Sequence, residues 1–281
     1  MVQKRVAAIH DISGVGKCSL TVAIPVISAA GIECSVIPTA VLSTHTGGFK
    51  GYTFNDLTDT ILPTAEHWHK EGLKFDAIYS GYLGSIDQIS ILKKSIDIIG
   101  SDNTRIIVDP VMADNGKLYP AFSSEFPFKM RELCKSADII TPNITEACLM
   151  LEEEYVEPPY TKEYIDGLIK KAGELCKGTV VLTGVCFDDK ELGAAAYDTE
   201  NNKIYYSFSE KVKGMYHGTG DLFSSVFVSA ITLGKGTERA LKAAVEFTHL
   251  AIKNTYENYP ELWYGVNFES ELPKLAGIIN G

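Results

Sequence analysis

The residues best suited to chemistry stand late in the chain, in Gly218-Thr219-Gly220-Asp221-Leu222-Phe223. Two glycines before an apolar-periodic stretch let successive backbone N–H groups point inward at the start of a helix. Such free donors, with the positive end of the helix dipole, form an anion hole suited to a phosphoryl group. Asp221 beside it has the chemistry to take the proton of an attacking alcohol as a general base. The same string also reads as a plain helix start with a carboxylate in its first turn, where negative charge is favoured. A bare Gly-x-Gly leaves the two readings level.

A second group is Asp109-Pro110-Val111-Met112 with Asp114, followed by Asn143-x-x-Glu146. Carboxylates at a strand end and a helix start can hold Mg²⁺ directly or through its waters, because magnesium keeps several waters and bridges phosphate oxygens. The competing reading makes Asp109 a turn residue before Pro110 and Glu146 a first-turn carboxylate. The two groups together favour a metal–nucleotide site.

Ser13-Gly14-Val15-Gly16-Lys17-Cys18-Ser19 imitates a P-loop without being one. Gly-x-x-x-x-Gly-Lys-Ser/Thr requires a glycine where Asp11 stands and a hydroxyl where Cys18 stands. It reads instead as a loop lining an acceptor pocket. Among the histidines, His67 and His69 lie two apart on a helical stretch and cannot face one metal. His249 belongs to an amphipathic helix. His45 and His217 flank the candidate loops without metal-ligand spacing.

Short apolar runs alternate with longer helical patterns, the sign of a largely parallel sheet covered by helices. Strands are expected at Arg5–Ile9, Glu33–Pro38, Asp76–Ser80, Arg105–Val108, Asp138–Thr141 and Thr179–Leu182. A Gly-rich turn, Asp11–Lys17, follows the first. Helices are expected from there to about Ala30, then over Thr58–Glu71, Ser85–Ile99, a stretch ending near Lys135, a short one from Thr145, Thr161–Cys176, Gly220–Leu233 and Thr237–Tyr256. Leu192–Tyr197 and Lys203–Phe208 form a hairpin that breaks the alternation. In an open α/β sheet ligands bind outside the carboxyl ends of the strands. The polar residues expected there are Asp11, Ser13, Thr46, Gly81-Tyr82, Asp109, Asp114, Asn143, Glu146, Thr183 and the Gly218–Asp221 loop. Glu152–Pro159 is an acidic surface connection, and the whole of 1–281 is expected to be one domain.

The bulk numbers set limits. Of 281 residues 45% are hydrophobic and 22% charged, enough apolar material for a sizeable core. The formal net charge of −10 argues against a nucleic-acid backbone as partner, which needs clustered cations. Six scattered cysteines without a CxxC pair read as reduced core thiols. Met1–Ile9 reads as a strand, not a signal peptide, and no apolar run approaches the ~20 residues that span a bilayer. A cytoplasmic protein is expected, in which the Asn143-Ile144-Thr145 sequon is accidental.

Taken together, Ser43-x-His45-Thr46-Gly47, Ser80-Gly81-Tyr82-Leu83-Gly84-Ser85, Asp109-Pro110-Val111-Met112 and Gly218-Thr219-Gly220-Asp221-Leu222-Phe223 resemble the pyridoxal kinases of the ribokinase-like superfamily. Asn143-x-x-Glu146 is similar to the metal signature of the wider superfamily. The resemblance runs from the first strand to the last long helix. It implies a three-layer sandwich and ATP-dependent phosphorylation of the hydroxymethyl group of a vitamin B6 vitamer. Asp221 would be the base, with Gly218, Thr219 and Gly220 stabilising the transferring phosphoryl group. Asp109, Asp114 and Glu146 would form the Mg–ATP region, with Thr141 and Thr183 near the nucleotide phosphates. Thr46 and Tyr82 would meet the vitamer beside Asp11 and Ser13. A monovalent cation such as K⁺ and a homodimer are also implied.

Two departures bear on the acceptor. Family members often carry a serine directly after the first strand, where this chain has Asp11, and the Gly-rich loop is one residue shorter. An acid at that place would favour an aminomethyl substituent, hence pyridoxamine over pyridoxal. The rivals are a hydroxymethylpyrimidine kinase of thiamine synthesis, which needs the same base, anion hole and metal, and a non-catalytic ligand-binding protein of the same fold.

Overall fold

The computed structural model describes residues 3–281. The chain runs β1 (Arg5–Val15), α1 (Leu20–Ala29), β2 (Glu33–Thr44), β3 (Phe54–Asp56), α2 (Thr58–Lys70), β4 (Ala77–Ser80) and α3 (Ile86–Ile99). It continues with β5 (Arg105–Val108), β6 (Ala113–Asp114), β7 (Lys117–Leu118), α4 (Phe126–Cys134), β8 (Ile139–Ile140), α5 (Ile144–Leu151) and α6 (Lys162–Ala172). Then follow β9 (Thr179–Val185), β10 (Glu191–Asp198), β11 (Lys203–Glu210), α7 (Thr219–Thr232), α8 (Thr237–Asn258) and α9 (Leu272–Asn280). Nine strands form one sheet in the order β11-β10-β9-β8-β5-β4-β1-β2-β3. From β9 to β2 every neighbouring pair is parallel, and β3, β10 and β11 add antiparallel margins.

The central strands are short and apolar on both faces, as strands buried between two helical layers must be. One face packs Ile9, Ile78, Val108 and Ile140 against α2 to α6. The other packs Val6, Ala77, Ile107 and Val181 against α1, α7, α8 and α9. The expected layered α/β architecture is the observed one.

The departures concern strand ends. β1 does not stop at Ile9. A bulge between His10 and Ile12 shifts the register, and the strand continues to Val15 alongside Val41–Thr44. β2 likewise runs past Pro38 to Thr44. Pro38 lies opposite His10 at the bulge, where a missing N–H interrupts least. The Asp11–Lys17 turn is therefore half strand, and the loop proper follows Val15. Helix 161–176 ends at Ala172 and closes in a 3₁₀ turn, Gly173–Leu175. The sequence reading did not include β3, the small β6–β7 hairpin, or α9.

Candidate active site

Strand β1 delivers Asp11 and Ser13 to the carboxyl edge of the sheet, β4 delivers Gly81-Tyr82, β5 Asp109, and β8 Thr141. Glycine at 81 follows from crowding: a Cβ there would stand 2.2 Å from Nδ1 of the buried His10 ring. His10 itself packs edge-on to Tyr79 at 4.3 Å between centroids, and burial holds its pKa down to about 3, so it is neutral.

At the start of α7, Gly218 takes φ +75°, a left-handed value that glycine adopts freely. A Cβ at 218 would lie 1.6 Å from the Lys17 carbonyl oxygen, so the two glycine-bearing loops touch here. The first intrahelical bond recorded at this end runs from the Leu222 amide to the Gly218 carbonyl, 3.0 Å. The amides of Thr219, Gly220 and Asp221 precede it and remain for a ligand. Lys17 does not reach this nest; its ammonium pairs with Glu269 and lies over the Phe268 ring.

Asp221 is half-buried, yet desolvation lifts its pKa to about 7, with repulsion from Asp11 adding and a facing Ser19 amide opposing. Asp109 is 5% exposed, and burial followed by repulsion from Asp221 carries it to about 8. The Ser224 hydroxyl donates to Asp109 at 3.0 Å and lies 3.1 Å from the Thr141 hydroxyl. Glu146 is 3% exposed, and burial, then Asp109, pushes it well above the ordinary carboxylate range. Asp11, Asp221, Asp109 and Glu146 thus form a row in which each neighbour raises the next. A cost of this kind marks a place made for compensating positive charge or for a proton in transit.

Glu146 is also structural. Its two oxygens accept from the amides of Met112 (3.0 Å) and Asn143 (2.9 Å), and Asn143 Oδ1 accepts from the Glu146 amide (2.9 Å). This capping box starts α5. Asn143 also donates to the Ala113 carbonyl at 2.8 Å, which ties the β6–β7 hairpin to the site. Both readings of Asn143-x-x-Glu146, helix cap and site carboxylate, therefore describe one residue pair. Asp114 lies on the hairpin with its carboxylate exposed and bonded to the Asn115 amide, 2.8 Å. Among the described residues no three His, Cys, Asp or Glu side chains gather closely enough to hold a metal ion directly. The buried oxygen donors of Asp109 and Glu146 fit a hydrated Mg²⁺ shared with phosphates, not an all-protein cage.

The acceptor half gathers Asp11, 4% exposed, with Ser13 donating to its Oδ2 at 3.2 Å. Tyr82 stands near enough for Asp11 to help burial push its phenol to about 12. Thr46 stands exposed on the loop after β2. Its neighbour His45 accepts from the Gly47 amide at Nδ1 (3.0 Å), leaving Nε2 to donate to the Tyr264 carbonyl (2.8 Å). His45 and His217 face each other at 5.0 Å between ring centroids. Thr183, half-buried on β9, donates its amide to the Pro142 carbonyl at 3.0 Å. Sequence reasoning missed Ser224, whose only signal was its place three residues after Asp221 on the same helix. It also missed Tyr119, which lies in the field of Glu146, Asp114, Asp221 and Asp109 and whose phenol burial, first, and those charges raise.

A profile of the phosphomethylpyrimidine kinase family matches residues 22–261. A Bacteroides thetaiotaomicron protein, described as a candidate phosphomethylpyrimidine kinase, has a crystal structure that superposes with a TM-score of 0.93 at 36% identity, covering 98% of this chain and 94% of that one. A second crystal form of it carries pyridoxal. The pyridoxal kinase of Lactobacillus plantarum superposes with a TM-score of 0.88 at 27% identity over 98% and 97% of the two chains. The pyridoxine kinase of Bacillus subtilis is 26% identical over 194 residues, 66% of this chain and 67% of that one.

Proposed function

The chain belongs to the phosphomethylpyrimidine kinase family, with pyridoxal kinases of the ribokinase-like fold as its relatives, and is a phosphotransferase; on that premise we propose that it transfers the γ-phosphoryl group of ATP to the 5′-hydroxymethyl group of a vitamin B6 vitamer. The observation that carries the proposal is the union of Asp221 with the amides of Thr219 and Gly220, beside the buried Asp109 and Glu146. Phosphoryl transfer asks the protein mainly for positioning and charge stabilisation. The nest supplies fixed N–H dipoles for the transferring group, in a pocket where they need no reorganisation. Asp221, poised about neutrality, accepts the hydroxymethyl proton as the oxygen attacks.

Thr141, just past β8, and Thr183, two residues before the end of the adjacent β9, line the nucleotide side. Asp109 and Glu146 would hold Mg²⁺ through its waters, and the cation would neutralise charge on the phosphate oxygens. Asp114 joins that region only from the exposed hairpin. On the other side Asp11, Ser13, Thr46 and Tyr82 receive the acceptor. A buried carboxylate backed by a serine suits an acceptor with an amino group, which favours pyridoxamine among the vitamers. The same observation favours a second reading, an aminopyrimidine carrying a hydroxymethyl group, the acceptor of the thiamine-type kinase.

The test is direct. The purified protein with Mg–ATP is offered pyridoxal, pyridoxamine, pyridoxine and hydroxymethylpyrimidine, and the phosphorylated products are separated. Turnover of the vitamers is expected, pyridoxamine foremost. Turnover of the pyrimidine alone would replace the B6 reading with the second, and ATP consumption with none of the four would remove both. A homodimer in the cytoplasm belongs to the same proposal. Val41 and Phe54, exposed at the β2–β3 margin of the sheet, support a partner there, and light scattering in solution measures it.

A further inference from the structure

Three loops at the carboxyl edge of the sheet meet one another at glycines. A Cβ at Gly16 would stand 2.2 Å from Cδ2 of His45, and one at Gly47 2.6 Å from Cε1 of His217. One at Gly218 would stand 1.6 Å from the Lys17 carbonyl oxygen. The loop after β1, the loop after β2 and the loop before α7 thus close a ring of contacts beside the amides of Thr219 and Gly220. Thr46 lies in the second of these loops, between two residues that make such contacts.

A fourth segment, Tyr259–Phe268 between α8 and α9, braces the ring from outside. Its far end is anchored. Val266 and Phe268 are buried in the core, and the Asn267 amide donates to the Thr255 hydroxyl at 2.7 Å. The Asn254 side chain donates to the Asn267 carbonyl at 3.1 Å. From that anchor the segment touches two of the three loops. A Cβ at Gly265 would stand 2.6 Å from the Lys17 side chain, whose ammonium pairs with Glu269. The Tyr264 carbonyl accepts from Nε2 of His45 at 2.8 Å. Trp263 lies on Gly48, where a Cβ would meet its ring at 2.8 Å. Its centroid is 4.7 Å from that of Phe49, which in turn is 5.0 Å from the His45 ring. At 51% exposed Trp263 fills no core. What its ring covers is the loop that carries Thr46.

We propose that Trp263 is a positioning residue for the acceptor, holding the Thr46 loop in place through Gly48 and Phe49. The proposal rests on the kinase reading above. A loop already fixed is not ordered at the cost of binding, and its contacts with the acceptor then count in full. Aromatic pairing suits the task, because it holds two loops together without burying a charge.

Trp263→Ala, Trp263→Phe, Phe49→Ala and the double alanine variant are prepared as full chains. For each, kcat and both KM values are measured with the acceptor the wild type uses best, beside melting temperature. Trp263→Ala is expected to melt close to the wild type, since the indole is half exposed. Its acceptor KM should rise about three- to tenfold, the scale of one aromatic pair, with the ATP KM held. Trp263→Phe, which keeps a ring against Phe49, should recover most of the loss. The double variant should lose no more than Trp263→Ala alone, because both residues act through one contact. An unchanged acceptor KM in Trp263→Ala, or equal rises for acceptor and ATP, would overturn the proposal, as would losses that multiply in the double variant. If the wild type turns over no acceptor, the kinase reading falls by itself. Hydrogen exchange then decides on the brace: faster exchange of the 45–49 amides in Trp263→Ala, with α8 unaltered, supports it, and unchanged exchange ends it.

Discussion

Asp221 is set apart from an ordinary first-turn aspartate by its surroundings. Desolvation carries its pKa to about 7, so near neutrality it exists in both protonation states, as a base that must accept and release a proton requires. Asp221→Asn keeps the shape and removes the proposed base, and kcat should fall by ~10²–10⁴-fold. Its melting temperature should hold or rise, because a buried charge repelled by Asp11 is gone. A folded variant with near-normal kcat would take Asp221 out of the mechanism. The sequence singled out Asp221, Asp109 and Glu146, which the fold brings into one row, because residue type and neighbours in the chain were enough to raise them. Ser224 escaped because it acts on a carboxylate that only folding brings near. Ser224 meets Asp109 across 115 positions of chain.

Gly218 and Gly220 look alike in the sequence and differ in the fold. An alanine at 218 meets the Lys17 carbonyl at 1.6 Å in a left-handed backbone, so it must push apart the two loops that build the site. Gly218→Ala should lower both melting temperature and kcat/KM, the latter more than tenfold, since loss of a single anion-hole donor costs ~10²–10³-fold in other enzymes. A Cβ at Gly220 meets nothing within 4 Å. Gly220→Ala should therefore melt like the wild type, and any rise in its ATP KM reports a phosphate occupying that open space. An unchanged KM would move the phosphate elsewhere. The limits of sequence reading at this scale have the same origin. β6, β7 and β3 are two or three residues long, too short for a period to show. α9 buries Leu275 and Ile279 four apart, but Pro273 and Gly277 within nine residues hide the pattern. β1 ran on past Ile9 because β2 pairs with it, which only the partner strand could reveal.

Across the whole molecule the carboxylate row becomes a property of stability. Asp221 near 7, Asp109 near 8 and Glu146 well raised all hold protons in the native state that the unfolded chain releases near pH 4. Where the native state binds more protons, stability falls as pH rises. The free protein should therefore be most stable below about pH 4, where both states are protonated, as far as these groups are concerned. It should lose stability steadily as pH climbs through 7 and 8. The net charge of −10 pushes the same way, since general self-repulsion also grows with pH, so the slope alone does not identify its source. Two additions separate the causes. Asp109→Asn removes one charge of the row and should flatten the fall between pH 6 and 8.5, whereas removal of an exposed carboxylate such as Asp97 should leave it. Mg²⁺ with ATP should raise the melting temperature more at pH 8 than at pH 6, because the cation binds the deprotonated row and must compete with protons at the lower pH. Melting scans across this range, with and without the nucleotide complex, give the comparison. A Mg–ATP stabilisation equal at both pH values would mean that these carboxylates do not meet the cation, and Asp109 and Glu146 would have only structural parts to play.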